Sequence, residues 1–429
     1  MPRKIQPSEE ISKEINELLM KGLEEEIKTR GNVISRLMQL SFLRLVQQSL
    51  EEEQKDWLGR EWGIRGKDRR GYRNGYEERQ IKTAEGKLKV KVPQVRDSEE
   101  KYRSRIMENI GNMSEMLQKL ALECYVRGLS VRDIEETFID SNGERLLSKD
   151  AVTELSESLW EEYEKFKSKD LSEYDVVYLF VDGVYESLRR EAKCKEAVFV
   201  AWAILSDGRK VLLSMGIGNK ESTENWKEFF YDMIKRNLRQ PLLVISDGAP
   251  GLIRAVEEVF KMSKRQRCIV HKLRNIANKL PKKIVDEIML DFKAIFYAPT
   301  KEQAKKQIEY VIDKYSDKYP SAVNCMLDDI EACLTFYDFP AVHHRYIRTT
   351  NLLERTFVEE KRRTKIIPQF LNERSCLKLV FAILIRVSKK WRKIKMSPLE
   401  LTVLRNIRKL LTQNKEDSNM ISFEFSKSA

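Results

Sequence analysis

Two aspartates follow short apolar segments near the middle of the chain. Asp182 comes directly after VVYLFV, and Asp247 comes directly after LLVIS. Because the carboxyl ends of strands in an open α/β sheet gather ligand-binding groups, the two side chains would meet if these segments are neighbouring strands. Facing carboxylates repel each other unless a cation neutralises them, and their hard oxygen atoms suit Mg²⁺ or Mn²⁺. The alternative is that Asp182 lies in a turn and Asp247 caps a helix.

A third acidic residue, Glu354, lies in the segment TTNLLERTFVEEKRRTK. Residues 345–395 hold 15 basic and four acidic residues, so this carboxylate stands among cations. A metal-dependent phosphodiester site needs that combination, because carboxylates hold the metal and cations hold the phosphates. The alternative is a capping box, in which Asn351 begins a helix and Glu354 hydrogen-bonds back to it.

A C-x-x-H motif, Cys268 to His271, stands between the second aspartate and the glutamate. We expect its two side chains to pack or hydrogen-bond beside the acidic residues. A structural zinc site would need two more ligands, for which only His343, His344 and scattered cysteines remain. A nucleophilic Cys–His pair is a further alternative, although no other residue pattern indicates a thiol enzyme.

The segments that must position these residues alternate between strand and helix across residues 171–271. Apolar runs predict strands at 176–181, 197–205, 210–217 and 242–246, a short strand at 267–270, and helices at 223–236 and 251–260. An antiparallel meander followed by βαβ units predicts a mixed sheet flanked by helices. Residues 272–345 and 346–412 are predicted to be helical, and the second of these segments is strongly basic.

The N-terminal part of the chain is predicted to be mostly helical. Residues 1–55 form amphipathic helices that suit packing on the rest of the chain or on a second copy. Residues 56–110 contain a hairpin that turns at Ala84-Glu85-Gly86. Residues 60–96 hold 12 basic and five acidic residues, which suits contact with a phosphate backbone. The alternative is a solvated hairpin whose lysines prevent edge-to-edge aggregation.

Residues 111–170 have the pattern of a helix-turn-helix unit, in which Ser148 caps the second helix. That helix also carries Asp150, Glu154 and Glu157, which argues against its lying in a DNA groove. The candidate DNA contacts of the N-terminal part are basic residues of the hairpin and of these helices: Arg70, Arg73, Lys87, Lys89, Lys91, Arg127, Arg132 and Lys149.

Composition excludes several classes of protein. The chain has 429 residues, of which 41% are apolar, too many for a disordered protein. It carries 79 Lys and Arg against 67 Asp and Glu, a formal net charge of +12, which favours a polyanionic partner. The sequence shows no apolar run that could span a membrane, no apolar core of a signal peptide and no CxxC pair among six cysteines. We therefore expect a cytoplasmic protein without a membrane partner.

Six segments in order resemble the Mutator-like transposases of bacterial insertion sequences, over roughly residues 70–400. They are RNGYEERQIKTAEGKLKVKVPQVRD, GLSVRDIEETF, LFVDGVY, VISDGAPGL, CIVHKLRNI and RTTNLLERTFVEEKRRTK. The resemblance implies an α/β RNase H-like catalytic core with a mixed five-stranded sheet. In this interpretation residues 171–271 begin the core, residues 272–345 are an all-helical insertion, residues 346–412 complete the core, and 413–429 form a tail. The helical N-terminal region with its hairpin would bind DNA and support dimerisation.

The resemblance further implies that Asp182, Asp247 and Glu354 are the catalytic acids and hold two divalent ions, Mg²⁺ or Mn²⁺. The reaction would be phosphoryl transfer, in which water or a 3′-hydroxyl attacks a phosphodiester and no covalent protein–DNA intermediate forms. The C-x-x-H motif is also a feature of this family. Basic residues around the glutamate complete the candidate DNA contacts: Arg348, Arg355, Arg362, Arg363 and Lys365.

The implied partners are double-stranded DNA, as terminal inverted repeats and as target, and a second copy of the chain in a homodimer. Excision would pass through a figure-eight and then a circular intermediate, in a bacterial cytoplasm and beside the nucleoid. Two alternatives keep the same DNA-binding surface. One is a metal-dependent nuclease or resolvase-like enzyme that cleaves without joining strands, and the other is an inactive DNA-binding relative, which the presence of all three acids argues against.

Overall fold

The computed structural model describes residues 5–24, 30–62, 70–140, 143–188, 195–218 and 221–427. The chain divides into two compact units, Met1–Ser158 and Leu159–Ala429. Gly63 and Gly66 of the basic N-terminal segment and Cys194 lie outside the described residues. Among the described helices, none is both long and apolar enough to span a lipid bilayer.

The first unit is built from helices and one hairpin. Its elements are α1 (Pro7–Glu24), α2 (Arg30–Leu58), β1 (Tyr72–Thr83), β2 (Gly86–Arg96), α3 (Arg105–Ile110), α4 (Glu115–Val126), α5 (Val131–Thr137) and the start of α6 (Lys149–Lys167). The strands pair antiparallel and turn between Thr83 and Gly86, where the sequence predicts a hairpin. Val90 and Val92 of β2 pack against Val46 and Leu50 of α2. Because successive strand residues point to opposite faces, the lysines that alternate with these valines lie on the other face.

The second unit contains a five-stranded mixed sheet, as the sequence predicts. Its strands and their helices are β3 (Val176–Ser187), β4 (Lys195–Leu205), β5 (Lys210–Gly218), α7 (Thr223–Lys235), β6 (Leu243–Ser246), α8 (Pro250–Val259) and β7 (Lys264–Arg267). The strand order is β5-β4-β3-β6-β7. β3, β4 and β5 are antiparallel neighbours, whereas β6 and β7 run parallel to β3. Apolar side chains from both faces are buried, which is typical of a sheet covered by helices.

Two predicted strand limits are wrong. β3 does not end before Asp182: it continues to Ser187 and pairs Asp182 with Val200 of β4. The apolar run stops earlier than the strand because only the first half of β3, Val176 to Val181, is buried on both faces. The last strand is Lys264–Arg267 and not 267–270, because Cys268 already caps the following helix.

Helices make up most of the chain after β7. They are α9 (Ile269–Ala277), α10 (Val285–Phe296), α11 (Lys301–Tyr315), α12 (Pro320–Leu327), α13 (Ile330–Leu334), α14 (His344–Ile347), α15 (Asn351–Thr364), α16 (Glu373–Ser388) and α17 (Pro398–Lys427). Helices α9 to α13 enclose a separate apolar core that includes Phe292 and Phe296. The buried Gln266 of β7 joins this core to the sheet, because it accepts from the amide of Phe336 (2.7 Å) and donates to the carbonyl of Cys333 (3.0 Å).

Candidate active site

Asp182 and Asp247 are brought together by the parallel pairing of β3 with β6. The register pairs Leu179 with Val244 and Phe180 with Ile245. Continued for two more residues beyond the paired ones, this register would place Asp182 opposite Asp247, and the charge of Asp247 acts on Asp182 accordingly. Asp247 follows the last residue of β6 at the carboxyl edge of the sheet, which is where the sequence predicts the two acids to meet.

Both aspartates are held by backbone amides. The Oδ1 atom of Asp182 accepts a hydrogen bond from the amide of Gly183 (2.8 Å). The Oδ1 atom of Asp247 accepts one from the amide of Ala249 (3.0 Å). Burial, followed by the negative charge of Asp247, raises the pKa of Asp182 to about 7, although the hydrogen bond from the amide of Gly183 lowers it. The turn alternative for Asp182 is wrong, because the residue lies within β3. The charge of Asp247 therefore disfavours the ionised form of Asp182, and a cation between the two carboxylates would relieve this repulsion.

Glu354 lies in the first turn of α15. The N-cap of this helix is Thr350, which makes no side-chain capping bond, so the alternative interpretation, a capping box that begins at Asn351, is wrong. The Oε1 atom of Glu354 is buried and accepts no hydrogen bond from any described residue. The nearest described cationic atom is Nε2 of His271, at 3.7 Å. A buried carboxylate oxygen without a partner is unfavourable, so this atom is free to accept a cation or a proton donor.

Cys268 and His271 connect the end of the sheet to the start of α15. The amide and the hydroxyl of Thr350 each lie 3.3 Å from Sγ of Cys268. The same hydroxyl lies 3.5 Å from Nδ1 of His271, and the amide of Ile269 donates to the carbonyl of Arg348 (3.1 Å). These contacts fix α15, and with it Glu354, beside the end of β7.

The imidazole of His271 favours its protonated form. Its hydrogen bond with Cys268 and the nearby charges of Cys268, Asp182 and Glu354 together raise its pKa to about 9, although burial acts in the opposite direction. Burial raises the pKa of Cys268, but hydrogen bonds from His271 and Thr350 outweigh it, so the net shift is downward. The motif thus places a positive charge among the carboxylates.

A fourth carboxylate, which the sequence does not reveal, lies beside the aspartates. Glu221 precedes α7, and its Oε1 atom would lie only 2.5 Å from a β-carbon added at Gly183. Burial raises the pKa of Glu221, and the charge of Asp247 raises it further, whereas a hydrogen bond from Tyr185 lowers it. Glu221 stands in a loop 39 positions after Asp182 and does not directly follow a strand, as Asp247 does, so no local signal marks it. Glycine at position 183 is the only residue type that fits this contact without a shift.

The donor chemistry of the site fits a divalent cation. Asp182 and Asp247 oppose each other, and Glu354 presents an oxygen without a partner. Carboxylate oxygens are the ligands that Mg²⁺ and Mn²⁺ prefer. Within the described ranges, no three His, Cys, Asp or Glu side chains are close enough to form a finished metal cage. All three acids would therefore have to draw together around an ion in order to share it.

The basic residues predicted to contact DNA in the first unit fall into two groups. Arg73 is engaged within the fold, because it donates to the carbonyls of Arg60 (2.8 Å) and Glu61 (3.2 Å). Lys87, Lys91 and Arg127 form ion pairs with Glu144, Glu10 and Glu123, respectively. The remaining predicted contacts are exposed and form no ion pair with a described residue: Arg70, Lys89, Arg132 and Lys149.

In the second unit the predicted contacts surround α15. Arg348 lies over the ring of Tyr297, with Cζ 4.2 Å from the ring centroid. Arg362 and Arg363 both form ion pairs with Glu359. Arg355 and Lys365 are exposed and have no ion pair among the described residues. His343 and His344, the possible extra zinc ligands, bond elsewhere: Nδ1 of His343 lies 2.7 Å from the Tyr178 hydroxyl, and Nε2 of His344 lies 2.8 Å from the Phe339 carbonyl.

Comparison with known proteins identifies the family to which the chain belongs. Residues 14–394 match the model of the family described as "Transposase, Mutator family". The chain is 32% identical over 348 residues to the transposase for insertion sequence element ISRM5 of Rhizobium meliloti, which covers 81% of this chain and 86% of that protein. It is 34% identical over 285 residues to the transposase for IS6120 of Mycolicibacterium smegmatis (66% and 86%). It is 31% identical over 347 residues to the transposase for IS256 in transposon Tn4001 of Staphylococcus aureus (80% and 88%). The chain therefore belongs to the Mutator family of transposases.

Proposed function

We propose that this chain is a metal-dependent DNA strand transferase that uses Asp182, Asp247 and Glu354 as its catalytic acids in an RNase H-like core. The observation that supports the proposal is the parallel pairing of β3 with β6, whose register, continued by two residues, would bring Asp182 and Asp247 together at the sheet edge near the start of α15. In this assignment the helices between β7 and α15 are an insertion into the core. Membership of a transposase family supports DNA as the substrate.

The acids act by holding charge close to the scissile phosphate. Bound Mg²⁺ or Mn²⁺ would activate the attacking water or 3′-hydroxyl and stabilise the leaving oxygen. Asp182 and Asp247, fixed by the amides of Gly183 and Ala249, supply two carboxylates in a defined geometry. Glu354 supplies the third from a helix that Thr350 anchors to Cys268. The protonated His271 lowers the electrostatic cost of gathering these acids before DNA arrives.

The first unit is proposed to recognise the terminal inverted repeats. Its exposed cations, Lys89 on the hairpin and Arg132 and Lys149 on the helices, are available for phosphate contacts. A homodimer would bring two element ends together, and excision through a figure-eight and circular intermediate belongs to the same proposal.

The test is a strand-transfer assay on a supercoiled plasmid that carries both element ends. With Mg²⁺ or Mn²⁺, the purified chain is expected to nick the ends and then to form strand-joined products. Asp182→Asn, Asp247→Asn and Glu354→Gln should each lower both steps at least a hundredfold while terminal-repeat binding persists. Glu309→Gln, which changes an exposed carboxylate on α11, is the matched control and should behave as the wild type.

Three results would contradict the proposal in different ways. Cleavage without joined products would assign the chain to the nuclease alternative. DNA binding without cleavage in either metal would assign it to the inactive relatives. Strand transfer that survives Asp182→Asn would place the chemistry at other residues.

A further inference from the structure

A cavity of about 850 Å³ opens beside Glu354. Its walls come from the sheet, from the start of α15 and from the end of α16. Besides the fully buried Phe180, six of its lining residues are cationic or aromatic, and we call the cavity they line the cationic cavity: Lys210, Arg345, Tyr346, Arg355, Lys390 and Trp391.

The four cations of the cavity lack anionic partners. Within the described part of the chain, Lys210, Arg345, Arg355 and Lys390 form no ion pair, and the nearby Glu359 is already paired with arginines on its own helix. Burial lowers the pKa of Lys210, and the positive charges of Arg355 and Arg345 lower it further. Like charges held this close repel each other, so the cavity is arranged for an anion that enters from outside.

The aromatic side chains of the cavity are anchored in the sheet. Trp391 stacks on the fully buried Trp202 of β4, with ring centroids 5.2 Å apart and an interplanar angle of 6°. The Nζ atom of Lys210 lies 5.5 Å from the ring centroids of both Trp391 and Tyr346. Arg345 lies over Tyr346, at 4.6 Å. Rings with cations above them, where those cations form no ion pair with a described residue, suit a ligand that has both a flat base and a phosphate.

We propose that the cationic cavity binds one unpaired nucleotide of the DNA strand that reaches the acidic site, with its base against Tyr346 and Trp391 and its phosphate against Lys210 and Arg355. This inference rests on the proposed function, because Glu354 is both a wall of the cavity and a proposed catalytic acid. An intact duplex does not suit the cavity, since its bases are paired and stacked and present no free face to the rings. A nucleotide swung out of the duplex presents its base face and its phosphate together.

The test compares DNA affinities, so it needs no catalysis. The affinity of the full-length Glu354→Gln variant is measured for a series of duplexes that carry the element end. Each duplex has a single mismatch at a different position around the cleavage site. At one position the mismatch should tighten binding about tenfold, because the protein no longer spends binding energy on unpairing that base. Permanganate oxidation should mark a thymine placed at that position as unpaired in the complex with fully matched DNA.

Variants then assign this preference to the cavity. Tyr346→Ala and Lys210→Met should each abolish the tenfold gain, whereas Tyr231→Ala, an exposed tyrosine on α7, should keep it. Thermal unfolding of each variant shows whether it is folded. Equal affinity for matched and mismatched ends at every position would overturn the inference, as would a gain that survives both cavity variants. If strand transfer by the wild type fails but the mismatch gain is present, the proposed function fails and the nucleotide site stands.

Discussion

The carboxylate of Glu221 lies directly over Gly183, so that a β-carbon at position 183 would be 2.5 Å from its Oε1 atom. Gly183 follows Asp182, whose pKa is also raised slightly by Glu221. Gly183 therefore couples the position of the loop residue Glu221 to that of Asp182, a proposed catalytic acid.

Substituting this glycine should disturb the reaction more than the fold. Gly183→Ala forces the carboxylate of Glu221 to move beside the aspartates, and we expect strand transfer to fall tenfold or more while the free energy of unfolding changes little, because the displaced atom ends a flexible side chain. Gly216→Ala on β5 is the matched control, because its β-carbon would meet Phe229 at an ordinary 3.4 Å. Equal activity losses in the two variants would contradict the role assigned to the contact.

Metal binding should be visible as a change in stability. Mg²⁺ or Mn²⁺ should raise the melting temperature of the wild type, because a ligand that binds only the folded state stabilises it. Asp182→Asn should lose this rise. Without metal, the same variant should melt higher than the wild type above pH 7, because it removes one of two repelling carboxylates. Glu309→Gln should match the wild type in both conditions, and a metal-induced rise retained by Asp182→Asn would contradict the assignment.

The stability of the metal-free chain should fall as pH rises. The folded-state pKa of Asp182 is about 7, above the unfolded value of about 3.9, so the folded chain binds more protons between these values and loses this stabilisation as pH rises through 7. His271 acts in the same direction between about 6.5 and 9. Melting temperatures measured from pH 5 to pH 9 with a chelator test this, and a rise over that range would disprove it.

Glu360, a buried carboxyl group outside the proposed active site, should also make the stability of the metal-free chain fall as pH rises. It is fully buried on α15, and burial, followed by the charge of Glu186 on β3, raises its pKa to about 8. Lys361 donates to the carbonyl of Tyr185 (2.6 Å) and forms an ion pair with Glu186, so this group ties α15 to β3. Glu360→Gln keeps the shape without the ionisation and should flatten the loss of stability between pH 5 and pH 8. An unchanged slope would show that Glu360 does not titrate there.

The cations of the first unit should differ in how much they contribute to the salt dependence of DNA affinity. Each phosphate contact contributes about −0.9 to the slope of log affinity against log salt. Replacing Lys89, Arg132 and Lys149 together by alanine should make the slope less steep, by up to about three such increments. Arg73→Ala should instead lower the melting temperature, because its guanidinium holds backbone carbonyls. A normal slope in the triple variant would place DNA recognition elsewhere.

The sequence predicts those parts of the site that depend on strands. Buried apolar runs identify β3 and β6, and the rule that ligand groups gather at carboxyl edges places Asp182 beside Asp247. The limits of β3 are missed because its exposed end lacks that apolar pattern, although it stays paired with β4. Glu221 is missed because only tertiary packing, through the absent side chain of Gly183, brings it to the site. The role of Thr350 as N-cap, in place of Asn351, likewise depends on its contacts with Cys268.

The hydrogen bond from Ile269 to the carbonyl of Arg348 means that the chain leaves the sheet and returns to it at nearly one point. The helices between Ile269 and Arg348 therefore form a closed segment of the chain with an apolar core of its own. Lengthening a flexible loop within such a segment costs little free energy, about 0.6 kcal/mol of closure entropy for each doubling of the loop. Longer flexible connections between these helices should therefore leave Glu354 in its place beside the aspartates, because the backbone contact of Ile269 with Arg348 closes the segment.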